Sequence, residues 1–105
     1  MKEISGSEAI ARMREIRHNQ KLFFEMHHLT YNHATGKTHG LRRVARCRIR
    51  KSLPKEAFSL PSELYLPYTD LDMQEPRTCF KKLIRYVAFP PRFELMKVNW
   101  FKSEQ

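Results

Sequence analysis

Residues 44–51 read VARCRIRK, and arginine recurs there at every second position, as Arg46, Arg48 and Arg50. Successive side chains of an extended chain leave opposite faces. These guanidinium groups then share one face, about 6.6–6.8 Å apart, and Ala45, Cys47 and Ile49 share the other. A file of forked donors at that spacing matches successive phosphates or carboxylates. Arg42 and Arg43 on one side and Lys51 on the other extend the charge, so the candidate residues for binding an anion or nucleic acid are Arg42, Arg43, Arg46, Arg48, Arg50 and Lys51. Rings for stacking unpaired bases stand in the preceding segment, as Phe23, His27, His28 and Tyr31. The same face also fits plain solvation, with Glu25, Glu56 and Glu63 as ion-pair partners.

Other side chains invite chemistry and then argue against it. His27, His28, His33 and His39, with Cys47 beyond, gather around one stretch. Adjacent His27 and His28 point to opposite faces of a strand, however, and no zinc-type C-x2-C or H-x3-H spacing occurs, so no metal site is expected. Asp70 and Asp72 in TDLD could hold Mg²⁺ or do acid–base work, but they precede a turn, where Asp is favoured for bonding to the backbone. Glycine stands only at Gly6, Gly36 and Gly40, which leaves no glycine-rich phosphate loop. The expectation is a protein without catalytic residues, without a cofactor and without enzymatic activity.

The elements that must position these residues follow from pattern. Ser5 with Glu8 makes a capping box, and Ala9, Ile10, Met13 and Ile16 recur at helical spacing, predicting an amphipathic helix over about 6–17 whose apolar stripe packs on the core. KLFFEMHHLTYN and THGLRRVARCRIRKS flank a turn with Gly36, which predicts a β-hairpin. The first of these strands has apolar side chains on both faces, which predicts that it is covered on two faces, either by the helix and sheet or by another subunit. LPKEAFSLPSELYLP, with Pro54, Pro61 and Pro67, reads as a long connection leading into an edge strand ELYLPYTDL. Residues 77–89 fit both a second helix, through Phe80, Leu83, Ile84 and Val87, and a strand, through their composition. The diproline at 90–91 ends that element, and a final strand of about 93–101 holds Trp100 and Phe101. The fold class is therefore α+β, an N-terminal helix on a small, mainly antiparallel sheet or partly open barrel. Phe23, Leu29, Tyr31, Trp100 and Phe101 are the candidate interface residues.

A chain of 105 residues supports one small domain, 1–105. With 41% hydrophobic residues, among them seven Phe, four Tyr and one Trp, it is too apolar to stay disordered. Its formal charge of +9 favours phosphate polymers, anionic membranes or acidic protein surfaces. No run approaches the roughly 20 apolar residues that span a bilayer, so a soluble chain without a membrane partner is expected. MKEISGSEAI lacks the apolar core of a signal peptide, and Cys47 and Cys79 show no CxxC spacing, so synthesis in the cytoplasm with reduced thiols is expected.

Taken together, ISGSEAIARMREIR, FFEMHHLTYNHATG and DLDMQEPRTCFKKLIRYVAF resemble the small structural proteins of tailed bacteriophages and prophages of gut bacteria. The resemblance lies in layout and carries over no functional residue. It implies a virion or assembly component, acting in many copies, made in the host cytoplasm and then part of the particle. Its partners would be other protein subunits, with DNA as a further one. The alternative function is a small basic nucleic-acid-binding protein that uses the arginine file.

Overall fold

The computed structural model describes residues 1–32, 35–50 and 64–101; for Asn32, Thr38 and His39 it describes the backbone alone. In chain order the elements are β1 (Glu3–Ser5), α1 (Gly6–Arg17), β2 (Phe24–Asn32), β3 (Lys37–Ile49), β4 (Tyr65–Asp70), β5 (Glu75–Phe80), a 3-10 turn (Lys81–Leu83), β6 (Ile84–Ala88) and β7 (Met96–Asn99). The strands form one open sheet of seven in the order β1-β7-β6-β2-β3-β4-β5. Every pair is antiparallel except β1 with β7. The class is α+β, one helix on a mostly antiparallel sheet. Among the described residues no helix is long and apolar enough to cross a membrane.

Helix α1 begins where its capping pattern predicts: Ser5 Oγ accepts a hydrogen bond from the Glu8 N–H at 3.1 Å. Ala9, Ile10, Met13 and Ile16 are buried. They join Phe24, Met26, Val44, Cys47, Ile49, Ile84, Val87 and Val98 in one core, where each fully buried large side chain contributes about 1.5–3 kcal/mol. Trp100 closes the chain against the start of the helix. Its Nε1–H donates to the Ile84 carbonyl at 2.9 Å, and a Cβ at Gly6 would fall inside its indole ring. Glycine there is a packing requirement.

Three expectations change. Residues 77–89 hold no second helix: they form β5, the short 3-10 turn and β6. Lys81–Leu83 in that turn supply the break that made the spacing look helical, while pairing of β6 with both β2 and β7 fixes the strand. Second, β4 is not an edge strand, because it lies between β3 and β5. Pro67 is tolerated since the β3–β4 register runs from Cys47–Asp70 to Ile49–Tyr68 and stops there. The Arg50 N–H still donates to the Pro67 carbonyl at 2.9 Å, so the proline removes only a bond at the ladder's end. Third, Val44 pairs with Met26 but Cys47 with Phe24, so three steps on β3 oppose two on β2. That is a β-bulge at Ala45 and Arg46. It turns Val44 as well as Cys47 into the core and leaves Ala45 half-buried. The expected long connection over 51–63 lies outside the described residues.

The bulge also shapes the sheet. The first part of β3 pairs with β2 and its last three residues pair with β4. In a flat sheet of that register the ends of β2 and β5 would lie far apart. Instead the rings of Tyr31 and Phe80 meet at 5.1 Å between centroids. The β4–β5 pair has folded over toward the end of β2, as expected when a bulged strand bends and twists.

Candidate functional site

This folding-over leaves a cleft of about 450 Å³ between the end of β2 and the β4–β5 pair. Its floor is a buried polar contact. His28 and Tyr68 are 4% and 1% exposed, and His28 Nε2 lies 2.9 Å from the Tyr68 hydroxyl while Nδ1 lies 3.1 Å from the Leu29 carbonyl. A carbonyl only accepts, so Nδ1 carries the proton and Nε2 accepts from the tyrosine O–H. Burial first, and then the nearby charges of Arg42 and Arg77, push the His28 pKa below its ordinary value. Burial raises that of Tyr68. The pair is a neutral pin joining two strands forty positions apart in sequence.

Two guanidinium groups flank the floor. Arg77 donates from Nη2 to Glu75 at 2.7 Å and has Asp70 Oδ2 at 4.0 Å. Its Nε is shut off from solvent and has no hydrogen-bond partner among the described residues. Arg42 is exposed. It is opposite His28 in the β2–β3 register, and it makes no ion pair or hydrogen bond among the described residues. The lining also includes Leu29, Thr30 and Thr78 and three rings, Tyr31, Phe80 and Tyr65, with Tyr65 and Phe80 at 4.5 Å between centroids. The cleft thus presents guanidinium donors and ring edges, while its imidazole and phenol are engaged with each other. Cys79 lines it too, but burial pushes that thiol up to about 12 and keeps it protonated.

The other sequence-predicted cations are placed elsewhere. Arg43 forks onto Glu25 at 3.2 Å on the sheet's outer face, where His27 Nε2 also reaches Glu25 at 2.6 Å. Hydrogen bonding from Arg43 holds the Glu25 carboxyl below its usual pKa. Arg46, Arg48 and Arg50 alternate with the buried Cys47 and Ile49, yet their guanidinium groups diverge and form no file. Arg46 lies 3.6 Å from Asp72 and over the Phe23 ring at 5.0 Å. Arg48 donates to the carbonyls of Arg17, the last residue of α1, and of Asn19 and Leu22 just beyond it, at 2.6–3.0 Å. Arg50 donates to the carbonyls of Tyr68 and Arg77 at 3.0 and 2.9 Å. Lys51 lies outside the described residues.

Of the interface candidates, Phe101 is 97% and Tyr31 38% exposed. Phe23 packs on Phe93 at 5.3 Å, Leu29 is half-buried opposite the exposed Leu41, and Trp100 is engaged within the chain. Asp70 Oδ1 accepts from the N–H groups of Asp72 and Met73, the bonding that the turn reading expects. Among the described residues no three His, Cys, Asp or Glu side chains gather as a metal-ligand set.

Sequence reasoning found Arg42 but missed Arg77, Tyr68, Tyr65 and Phe80. Nothing local marks them, since only the folding-over of β4 and β5 brings them to His28. Comparison with family models, with curated proteins and with solved structures finds no match to this chain.

Proposed function

We propose that the protein is a non-enzymatic structural or assembly component that docks against other protein subunits, and that the particle to test is a bacteriophage virion, which the layout of the chain resembles. The observation that carries this reading is the apolar surface at the β2–β3 hairpin. Leu29 and Leu41 are direct cross-strand partners, and Leu41 is 48% and Tyr31 38% exposed. Among the described residues β5 also has no strand on its outer side, and an open edge is a template for pairing with another chain. The engagement of His28 with Tyr68 and the raised pKa values of both thiols agree with a binding role.

Light scattering on purified protein tests this directly. Oligomers are expected for the wild type, and Leu41→Glu should reduce them to monomers with an unchanged circular dichroism spectrum. A stable monomer that joins no particle when co-expressed with phage structural proteins would overturn the reading.

One observation favours a second reading, a small nucleic-acid-binding protein: a formal charge of +9 with Arg42 lacking an intrachain acid among the described residues. Affinity for single strands should then fall linearly in log–log form with salt, with a slope of about −0.7 per phosphate neutralised.

A further inference from the structure

The chain leaving α1 wraps one guanidinium. Arg48 donates to the carbonyls of Arg17, Asn19 and Leu22, and the His18 and Asn19 N–H groups donate to the carbonyls of Glu15 and Ile16 at 3.2 and 3.0 Å. The C-terminal end of the helix is thereby closed, with a cation already in place for its dipole. Three more cations stand around it: Arg14 and Lys21, both exposed, and Arg17, half-buried. Their side chains make no ion pair or hydrogen bond among the described residues.

Helical spacing keeps these cations apart from the acids. Neighbours on a helix surface lie three and four positions apart. Arg14 has Ile10, Ala11, Arg17 and His18 at those positions, and within the helix Arg17 has Met13 and Arg14. The acids of α1 fall in another row, where Glu8 pairs with Arg12 at 3.1 Å and Glu15 stands three positions beyond Arg12. Like charges at this spacing repel, so the helix end carries more positive charge than its closure uses.

A polyanion relieves that repulsion, and what the patch lacks defines its kind. Ala9, Ile10, Met13 and Ile16 are buried, and no large apolar side chain between residues 6 and 22 is exposed, so the helix has nothing to insert into a bilayer. No Phe, Tyr or Trp lies in that stretch to stack a base. Charge alone remains, and charge reads phosphates without regard to sequence. We propose that the C-terminal end of α1 binds the phosphate backbone of a nucleic acid through Arg14, Arg17 and Lys21. The proposal rests on the nucleic-acid reading and deepens it by moving the site from the alternating arginines of β3 to the helix end. The same phosphates come from a single strand or from a duplex.

A control with the same loss of charge makes the test sharp. Arg42, Lys82 and Arg85 are exposed and have side chains without an ion pair or hydrogen bond among the described residues. Arg42 is opposite His28, and Arg85 follows Ile84, which also pairs with His28; residues 17–22 instead lead into the start of β2 at Phe24. Binding of fluorescein-labelled single strands and duplexes is measured by anisotropy against salt. At about 0.1 M salt, where charges act over about 10 Å, Arg14→Gln/Arg17→Gln/Lys21→Gln should weaken binding about tenfold or more. Its log–log salt slope for single strands should be shallower by about 2, the value for three lost phosphate contacts. Arg42→Gln/Lys82→Gln/Arg85→Gln should change affinity by about two- to threefold at most. The melting temperature of the helix-end variant should stay within about 4 °C of the wild type.

The loss of affinity on both probes would support the site with the backbone as its ligand, and a loss on one alone would support it with that strand form as the source. Equal weakening by the two triple variants would overturn the helix-end site and leave the nucleic-acid reading standing. A larger fall in melting temperature would show that these cations serve the fold, and would overturn the site as well. Binding to phosphatidylserine vesicles without binding to either probe at low salt would assign the patch to membranes and overturn both readings, as would no binding to any of the three.

Discussion

Arg42 and Arg48 lie on one strand and differ in everything but side chain. Arg48 meets three backbone carbonyls where the chain leaves α1, and so it acts as an internal fastener tying helix to sheet. Arg42 meets no acid or carbonyl among the described residues and faces a cleft whose buried histidine is held below its ordinary pKa first by burial and then by the charges of Arg42 and Arg77. The difference teaches that an excess of cations is no map of a binding surface. Where a strand passes an open helix end or an exposed ladder, guanidinium is consumed by the fold itself. Arg50 belongs with Arg48, and Arg43 and Arg46 are matched by Glu25 and Asp72. Of the arginines at 42, 43, 46, 48 and 50, Arg42 is the one without an ion pair or hydrogen bond among the described residues.

The strongest way to break this contrast is Arg48→Met. Three carbonyls lose a charged donor at once, and each such bond is worth about 1.5–3 kcal/mol net of solvation. Water can recover part of that at a half-buried position, so a loss of about 2–4 kcal/mol is expected. Thermal unfolding should shift down by roughly 10 °C or more. Arg48→Lys should recover little, because one ammonium cannot fork toward three separated acceptors. An unchanged melting temperature in Arg48→Met would remove the fastener from the comparison.

Tyr68→Phe probes the floor of the cleft, and its expected effect is smaller. The hydroxyl that donates to His28 Nε2 disappears while the imidazole stays buried, leaving an unsatisfied acceptor at a cost of about 1–3 kcal/mol. Denaturant unfolding should show a lower midpoint at an unchanged slope, the sign of lost stability without altered compactness. A midpoint equal to that of the wild type would mean that the His28–Tyr68 contact does not pin β2 to β4.

These two residues also show where the sequence is readable. The helix is legible because its determinants are local: Ser5 and Glu8 at one end and an apolar residue every three or four positions. The hairpin is legible for the same reason, with Gly36 at a positive φ of 68° in its turn. The role of Arg48 is not, because it depends on carbonyls 26 to 31 positions away in sequence. VARCRIRK carries no mark of the extra residue at Ala45 and Arg46, so the alternation read from it holds only from Arg46 onward. At Pro67 the rule about proline is sound, but the ladder simply ends beside it. For residues 77–89 both periodicities are present, and tertiary pairing decides between them. The cleft is the extreme case, since Arg42 and Arg77 come to one site only through a bend that no local pattern encodes.

The pH dependence of stability separates the buried histidine from its exposed counterparts. The folded-state pKa of His28 lies below the ordinary value of 6.5, so the unfolded chain binds this proton first as the medium is acidified. The contribution of His28 is therefore fully present above that ordinary value and is lost as pH falls through the folded-state pKa. Glu25, held low chiefly by Arg43, adds a loss of the same sign starting below 4.5. Stability measured from pH 7.5 downward should fall earlier in the wild type than in His28→Asn. Parallel curves would mean that His28 takes up its proton as readily when folded as when unfolded.

Arg42→Ala carries the smallest effect on stability and the most direct one on the comparison. A side chain without an ion pair or hydrogen bond among the described residues has little to lose, so stability should stay within about 0.5 kcal/mol of the wild type. The electrostatic consequence should nevertheless be visible one strand away. Arg42 is opposite His28, and its charge disfavours the imidazolium after burial has already done so. Removing it takes away one repulsive neighbour and leaves burial and Arg77 in place, so the His28 pKa, followed through its ring proton shifts, should move upward while remaining below the ordinary value. Arg43→Ala serves as the control. It deletes the same charge from the next residue, but on the opposite face and beside an acid that compensates it, so the His28 pKa should not move with it. Equal shifts in both variants would show that His28 feels only the net charge of the chain. A shift in Arg42→Ala alone would place that guanidinium over the cleft floor.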